Sequence, residues 1–101
     1  MKKDLTGYTQ VFFDDFDKGE LDKNAWEARR IGKSGCGYES LGQVSFDGSC
    51  VHIRGSYEPD GEFGPGWYGY SLSVKKRWTK GYFECRCKPG HALLNGLWSA
   101  F

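Results

Sequence analysis

The chain has 101 residues, of which 17% are aromatic and 15 are Gly, and its 14 basic side chains nearly balance 13 acidic ones. The formal net charge of +1 gives no overall field that would attract nucleic acid or an anionic membrane. No apolar run approaches the ~20 residues of a membrane span, so the composition indicates one globular domain, residues 1–101, that binds neither nucleic acid nor a membrane.

The first predicted element is a short aromatic strand that begins at Tyr8 and runs into Asp14, Asp15 and Asp17. These carboxylates suggest a paired catalytic site. Adjacent residues of a strand point to opposite faces, however, so Asp14 and Asp15 cannot both address one substrate atom. We therefore interpret them as structural or solvated.

Residues 21–26 can form one helical turn that presents Leu21 and Trp26 inward. Residues 27–42 follow, with four glycines and no sustained period, which is typical of a long loop. Tyr38 is the expected ordered anchor of this loop.

Residues 43–54 give the clearest hairpin, because Asp47-Gly48 suits the positive φ values of a two-residue turn. In that register Val44 lies opposite Val51, and the apolar side chains of both strands share one face. His52 lies on the other face, where a hydrogen-bonded sheet histidine is favoured over a catalytic base.

Three further strands are predicted at residues 67–74, 81–88 and 97–101. The basic cluster at 75–77 is interpreted as a solvated hairpin tip, because neighbouring basic stripes are absent. Turn signals recur about every 8 to 12 residues and no long amphipathic helix intervenes, so the predicted class is an all-β sandwich or barrel.

The four cysteines, Cys36, Cys50, Cys85 and Cys87, show no Cys-x-x-Cys spacing for zinc. In a strand, Cys85 and Cys87 would be about 6.5 to 7 Å apart at Cα, too far for an easy bond to each other. Buried free thiols are favoured over a disulfide such as Cys36 to Cys50.

Four motifs occur in one order: Phe-Phe-Asp-Asp-Phe-Asp, Phe-Asp-Gly before an apolar strand, Gly-Tyr-Phe-Glu-Cys-Arg-Cys-Lys-Pro, and Gly-Leu-Trp-Ser-Ala-Phe. Together they resemble the N-terminal half of glycoside hydrolase family 16, the laminarinases, lichenases and their relatives. The resemblance covers nearly the whole chain from Val11 onward. It implies a concanavalin-like β-jelly-roll sandwich of two antiparallel sheets, with a concave groove for a β-linked polysaccharide.

The resemblance also implies an activity, that of a retaining endo-β-glycanase hydrolysing β-1,3 or mixed β-1,3/1,4 glucan. Such a jelly roll is one domain of about 200 to 250 residues, so the chain is expected to be its N-terminal part, with the C-terminal half as a further partner. The carboxylate pair, Glu-x-Asp-x-x-Glu in this family, would lie after Phe101. The 101-residue chain alone is thus expected to be inactive, and Glu84 is expected to form an ion pair.

The substrate-binding residues are expected to be aromatic plates and small polar groups. Trp98 would line the cleft and stack on a pyranose ring, and Trp67 and Tyr70 would add stacking platforms. Ser71 and Ser73 match positions where many relatives carry a carboxylate or an arginine, so the preferred polysaccharide stays open.

Asp15, through its backbone, and Gly48 match positions of a structural calcium in similar proteins, and no cofactor is required for catalysis. The chain is expected to act outside the cytoplasm. Its signal peptide is expected to be absent from this sequence, because Asp4 and Thr6 interrupt the place of an apolar signal region. A cytoplasmic protein is the alternative.

Two other functions stay open. A non-catalytic, lectin-like carbohydrate-binding sandwich would keep the aromatic platforms and need no carboxylate pair. A small complete β domain with a structural role is the third and weaker alternative.

Overall fold

The structure is a computed structural model and describes residues 2–89. Within this range the ordered elements are eight strands and one short 3-10 helix. They are β1 Trp26–Ala28, β2 Gly32–Ser34, β3 Gly37–Glu39, the 3-10 helix Leu41–Gln43, β4 Val44–Phe46, β5 Val51–Ile53, β6 Ser56–Glu58, β7 Gly66–Gly69 and β8 Leu72–Val74. The described part of the chain is therefore all-β, as predicted. None of its helices has the length and apolar character to cross a membrane.

The strands form three sheets. The largest has the order β2-β3-β7-β6, and two pairs, β1-β8 and β4-β5, complete the set. Strands β3 and β7 pair in parallel, with Tyr38 beside Tyr68, and the other pairs are antiparallel. The described residues thus depart from the expected two antiparallel sheets in both respects.

The strand predicted at 67–74 is two strands in different sheets. Backbone hydrogen bonds show where the chain changes partner: Gly69 still accepts from the Ser40 amide at 3.1 Å, whereas Ser71 accepts from the Arg29 amide at 3.1 Å. The residues between β7 and β8 therefore carry the chain from the four-stranded sheet to β1.

The prediction of a long loop at 27–42 is wrong, since β2 and β3 form a hairpin in this range. Its two-residue turn is Gly35-Cys36, and Gly35 has φ 58°, at the position where a type II′ turn takes glycine. The four glycines therefore belong to two strands, a turn and the 3-10 helix, which a count of glycines alone does not show.

The hairpin at 43–54 is formed, but its register is shifted from the predicted one. Val44 pairs with Ile53 and Phe46 with Val51, so the connection spans four residues, 47–50. Because the shift is two residues, each side chain keeps its predicted face.

The strands predicted from Tyr8 and at 81–88 are not formed. Residues 11–17 nevertheless alternate between exposed and half-buried side chains, as an extended segment does, whereas 81–89 are exposed throughout. Neither segment pairs with a described strand. Alternation in the sequence predicts which face each side chain takes, but it does not predict a partner strand. The strand predicted at 97–101 lies outside the described residues.

Tyr68 on β7 is the buried aromatic side chain at the centre of the four-stranded sheet, with 4% exposure. Its ring stacks on Tyr38 with centroids 5.0 Å apart. Its hydroxyl accepts a hydrogen bond from the Phe63 amide at 2.8 Å and donates one to the Gly64 carbonyl at 2.7 Å. The ring also passes so close to Gly61 that an added Cβ would lie 2.3 Å from it. The 59–65 loop is therefore fitted around this one side chain.

Gln43 is buried beside Tyr68 and joins two sheets. Its side-chain amide donates to the Arg54 carbonyl at 2.7 Å and the Ser56 hydroxyl at 2.9 Å, with a longer contact of 3.4 Å to the Tyr68 carbonyl. A buried amide with these partners avoids the cost of an unsatisfied donor. It fixes the β4–β5 hairpin against β6 and β7.

Replacing Tyr68 with Phe keeps the ring and removes the acceptor of the Phe63 amide. A lost hydrogen bond of about 1 kcal/mol corresponds to about five-fold in an opening equilibrium, so we expect the Phe63 amide to exchange about five times faster by NMR. Tyr57→Phe is the matched control, because Tyr57 is 53% exposed. Equal Phe63 exchange in both variants would contradict the role of the hydroxyl.

Candidate functional site

An exposed aromatic pair lies on one face of the four-stranded sheet. Tyr57 on β6 is the register partner of Trp67 on β7, so the two side chains leave the sheet on the same face. Their ring centroids are 5.6 Å apart with an interplanar angle of 73°. Each side chain is 53% exposed. We call Tyr57 and Trp67 the aromatic platform.

Two glycines lie on the sheet face beside the aromatic platform, and Glu39 of β3, which is 9% exposed, shares this face. Gly37 on β3 and Gly69 on β7 fall on the same face as Trp67, because alternate residues of a strand share a face. A Cβ on Gly37 would lie 2.5 Å from the Trp67 carbonyl oxygen, so a side chain cannot be placed there without moving the backbone. The indole ring of Trp67 is therefore left uncovered on that side.

The other predicted binding residues lie apart from the platform. Tyr70 and Ser71 form the link between β7 and β8, and Ser73 lies in β8 opposite Glu27 of β1. The structure thus divides the predicted set between two sheets, with Trp67 on one and Ser73 on the other. Trp98 lies outside the described residues.

Tyr70 has the most unusual environment of this set. Its hydroxyl is buried and has no hydrogen-bond partner among the described residues. Burial first, and then the negative charge of Glu39, raise the pKa of Tyr70 above its ordinary value. A neutral hydroxyl with a free donor can bind an oxygen acceptor.

An acidic hollow of about 290 Å³ contains the predicted calcium position Asp15. Gly48 is not among the residues that line it and lies instead in the β4–β5 turn. Within residues 2–89, no group of three or more His, Cys, Asp or Glu side chains is arranged to hold a metal ion. Calcium therefore stays a prediction that rests on the resemblance.

Asp14 has a structural role, as predicted. Its carboxylate accepts a hydrogen bond from the Trp26 indole at 2.7 Å and another from the Phe16 amide at 2.8 Å. Phe16 has φ 56°, a left-handed conformation that costs about 1–2 kcal/mol for a residue with a Cβ. The ring of Phe16 packs against Trp26, whereas Asp15 points to solvent. Asp14 thus holds the N-terminal segment on β1.

Asp14→Ala should release this segment, while Asp15→Ala should not. Charged hydrogen bonds of this kind contribute about 1.5–3 kcal/mol, so we expect cleavage by chymotrypsin within residues 8–16 to become at least about ten-fold faster. The measurement is the cleavage rate followed by mass spectrometry. Equal rates for the two alanine variants would contradict the anchoring role of Asp14.

His52 takes part in a turn network and not in an acid–base pair with a nucleophile. Its Nε2 lies 2.7 Å from an Asp47 carboxylate oxygen. The other oxygen of Asp47 accepts from the amides of Ser49 at 2.9 Å and Cys50 at 2.7 Å. His52 first, and then these amides and the Ser49 hydroxyl, lower the pKa of Asp47 below its ordinary value of 3.8. The predicted hydrogen-bonded sheet histidine is confirmed.

The lowered pKa makes the turn sensitive to acid. Asp47 stabilises the folded chain fully above pH 3.8, and this contribution is lost as the pH falls through the lower folded value. We expect the Asp47 carboxyl carbon to titrate by NMR with a midpoint below 3.8, and His52→Ala to raise that midpoint. A wild-type midpoint at or above 3.8, or no change in the variant, would contradict the network.

Sequence reasoning missed Tyr57, the partner of Trp67. The Ser-Tyr-Glu run at 56–58 and the Gly-Trp-Tyr run at 66–68 flank a loop rich in Gly and Pro, which is the signal of a hairpin that would have paired them. The ion pair predicted for Glu84 is replaced by a hydrogen bond that Glu84 accepts from the Tyr82 hydroxyl at 2.8 Å.

Comparisons of the chain with protein-family models, curated proteins and solved structures found no match.

Proposed function

We propose that this chain is part of a retaining endo-β-glycanase that hydrolyses β-1,3 or mixed β-1,3/1,4 glucan, and that the aromatic platform is part of its polysaccharide-binding surface. The strands would belong to a jelly-roll sandwich of concanavalin type. The catalytic carboxylates are assigned to polypeptide that follows Phe101, and Trp98 to the same cleft. A structural calcium at Asp15 and Gly48 and a site of action outside the cytoplasm belong to the same proposal.

The observation that carries the proposal is the exposure of Trp67 and Tyr57 on the sheet face that also carries Gly37 and Gly69. Their rings are 53% exposed although each has a large apolar area. Covering the exposed half of a Trp side chain is worth about 2–3 kcal/mol, which favours a ligand with an apolar face. A pyranose ring offers such a face, with hydroxyls at its edge that need polar partners.

Polar groups along the same stretch of chain support a sugar ligand over a purely apolar one. Ser71 and Ser73 follow Trp67 in the chain and are half-buried, whereas the Tyr70 hydroxyl is buried. The two serine hydroxyls are short, neutral hydrogen-bonding groups, which suit sugar hydroxyls better than charged substituents. An uncharged glucan fits this set.

The test is binding of the 101-residue chain to laminarin and to mixed-linkage glucan, measured by affinity electrophoresis. Trp67→Ala should weaken binding about 30-fold, since burial of the ring contributes about 2 kcal/mol to the binding free energy. The affinity of Trp67→Phe should lie between those of the unchanged chain and of Trp67→Ala. Tyr8→Ala is the matched control, because Tyr8 is 61% exposed and lies outside the platform. Equal affinities for the chain and the Trp67→Ala variant would contradict the platform.

Catalysis is tested separately. The chain verified to end at Phe101 should release no reducing sugar from either glucan, whereas a chain extended by the polypeptide that follows should. Release by the 101-residue chain would overturn the assignment of the carboxylates.

The second candidate is a non-catalytic carbohydrate-binding sandwich. The platform itself favours it, because stacking needs two aromatic rings and no carboxylate pair. An extended chain that binds glucan through Trp67 and yet releases no sugar would replace the hydrolase with this binding function.

A further inference from the structure

The segment 81–89 contains two thiols that the proposed function does not use. Cys85 and Cys87 are both free and exposed, and Arg86 separates them. The expectation of buried thiols is therefore wrong for both.

The absence of a strand changes what these thiols can do. A strand ladder would hold Cα atoms of residues i and i+2 about 6.5–7 Å apart, at or beyond the ~6.8 Å limit for a disulfide. Residues 82–89 have no regular secondary structure, so no ladder holds Cys85 and Cys87 at that spacing. No described strand ladder therefore has to break for the segment to shorten and bring the sulphurs together.

Cys85 and Cys87 are separated by one residue, and both side chains are exposed. Partial desolvation, and then the neighbouring Cys87 thiol, raise the pKa of Cys85, which disfavours its thiolate. Arg86 and Lys88 are the cationic neighbours of Cys87, and Glu84 is the anionic neighbour of Cys85.

We propose that Cys85 and Cys87 form a redox-active dithiol that undergoes exchange with a low-molecular-weight disulfide and closes to an intramolecular disulfide. The Cys87 thiolate attacks one sulphur of glutathione disulfide and releases one glutathione thiolate. Cys85 then loses its proton and attacks the Cys87 sulphur, and the second glutathione leaves. The protein loses two electrons and two protons, and one glutathione disulfide becomes two glutathione molecules.

The chain supplies its own controls. Cys36 and Cys50 are also free and exposed, but they lie in the β2–β3 and β4–β5 turns, away from the dithiol in sequence. Exchange at a single exposed thiol stops at a mixed disulfide with glutathione. In the same glutathione mixture, Cys36 and Cys50 should therefore each gain one glutathione, while Cys85 and Cys87 together lose two hydrogens.

The experiment titrates the chain, and in parallel its Cys36→Ser/Cys50→Ser variant, with mixtures of reduced and oxidised glutathione, and the samples are quenched with acid and read by peptide mass. The peptide with Cys85 and Cys87 should lose two hydrogens and carry no glutathione. Half-oxidation of the dithiol should need at least about ten-fold less glutathione disulfide than half-formation of the mixed disulfide in a variant that also carries Cys87→Ser. The reason is that the second step of the dithiol is intramolecular. A peptide that stays reduced, or that mainly carries glutathione, would overturn the proposal.

Discussion

The fold of the described residues depends on the burial of one aromatic side chain in a chain with little apolar core. Tyr68 is the buried hydrophobic residue, and Glu39, Ser40 and Gln43 are the buried polar ones. Each polar side chain brings a desolvation cost that only hydrogen bonds offset. The Ser40 hydroxyl meets this requirement by donating to Glu62 at 2.6 Å, and Gln43 does so through its amide. Hydrogen bonds around the Tyr68 ring therefore stabilise much of the four-stranded sheet.

The aromatic platform is a consequence of the same arrangement. Alternation along β7 places Tyr68 inward and Trp67 outward, so burial of one ring decides the exposure of the next. Gly37 allows β3 to approach β7 closely, and no side chain stands at this position beside Trp67. The proposed binding surface therefore needs no element of its own, because the packing of the core already presents it.

Residue patterns predicted the class and several faces of this structure, but not its strand partners. The alternation at 43–54 assigned the side chains of β4 and β5 to their correct faces, whereas Gln43 lies in the 3-10 helix and Ser49 and Cys50 lie in the turn. The Asp-Gly pair predicted a two-residue turn, but the connection has four residues, 47–50, and the Asp47 carboxylate accepts hydrogen bonds within it. Trp67 was found as an exposed aromatic residue. Tyr57 was not, because the run rich in Gly and Pro at 59–65 was interpreted only as a loop and not as the connection of a β6–β7 hairpin. The strand predicted at 81–88 is not formed, which shows that an alternating residue pattern does not form a sheet without a partner strand.

The parallel contact between β3 and β7 sets an order of events during folding. The hairpins β2–β3, β4–β5 and β6–β7 join neighbours in sequence, whereas β3–β7 and β1–β8 join strands far apart. Local pairs close first because short loops cost less chain entropy, and distant pairs follow. On a ribosome, β1 must therefore wait for nearly all of the described chain to emerge before its partner β8 exists. Until then the backbone edge of β1 that pairs with β8 is unpaired, and another chain can add a strand to it.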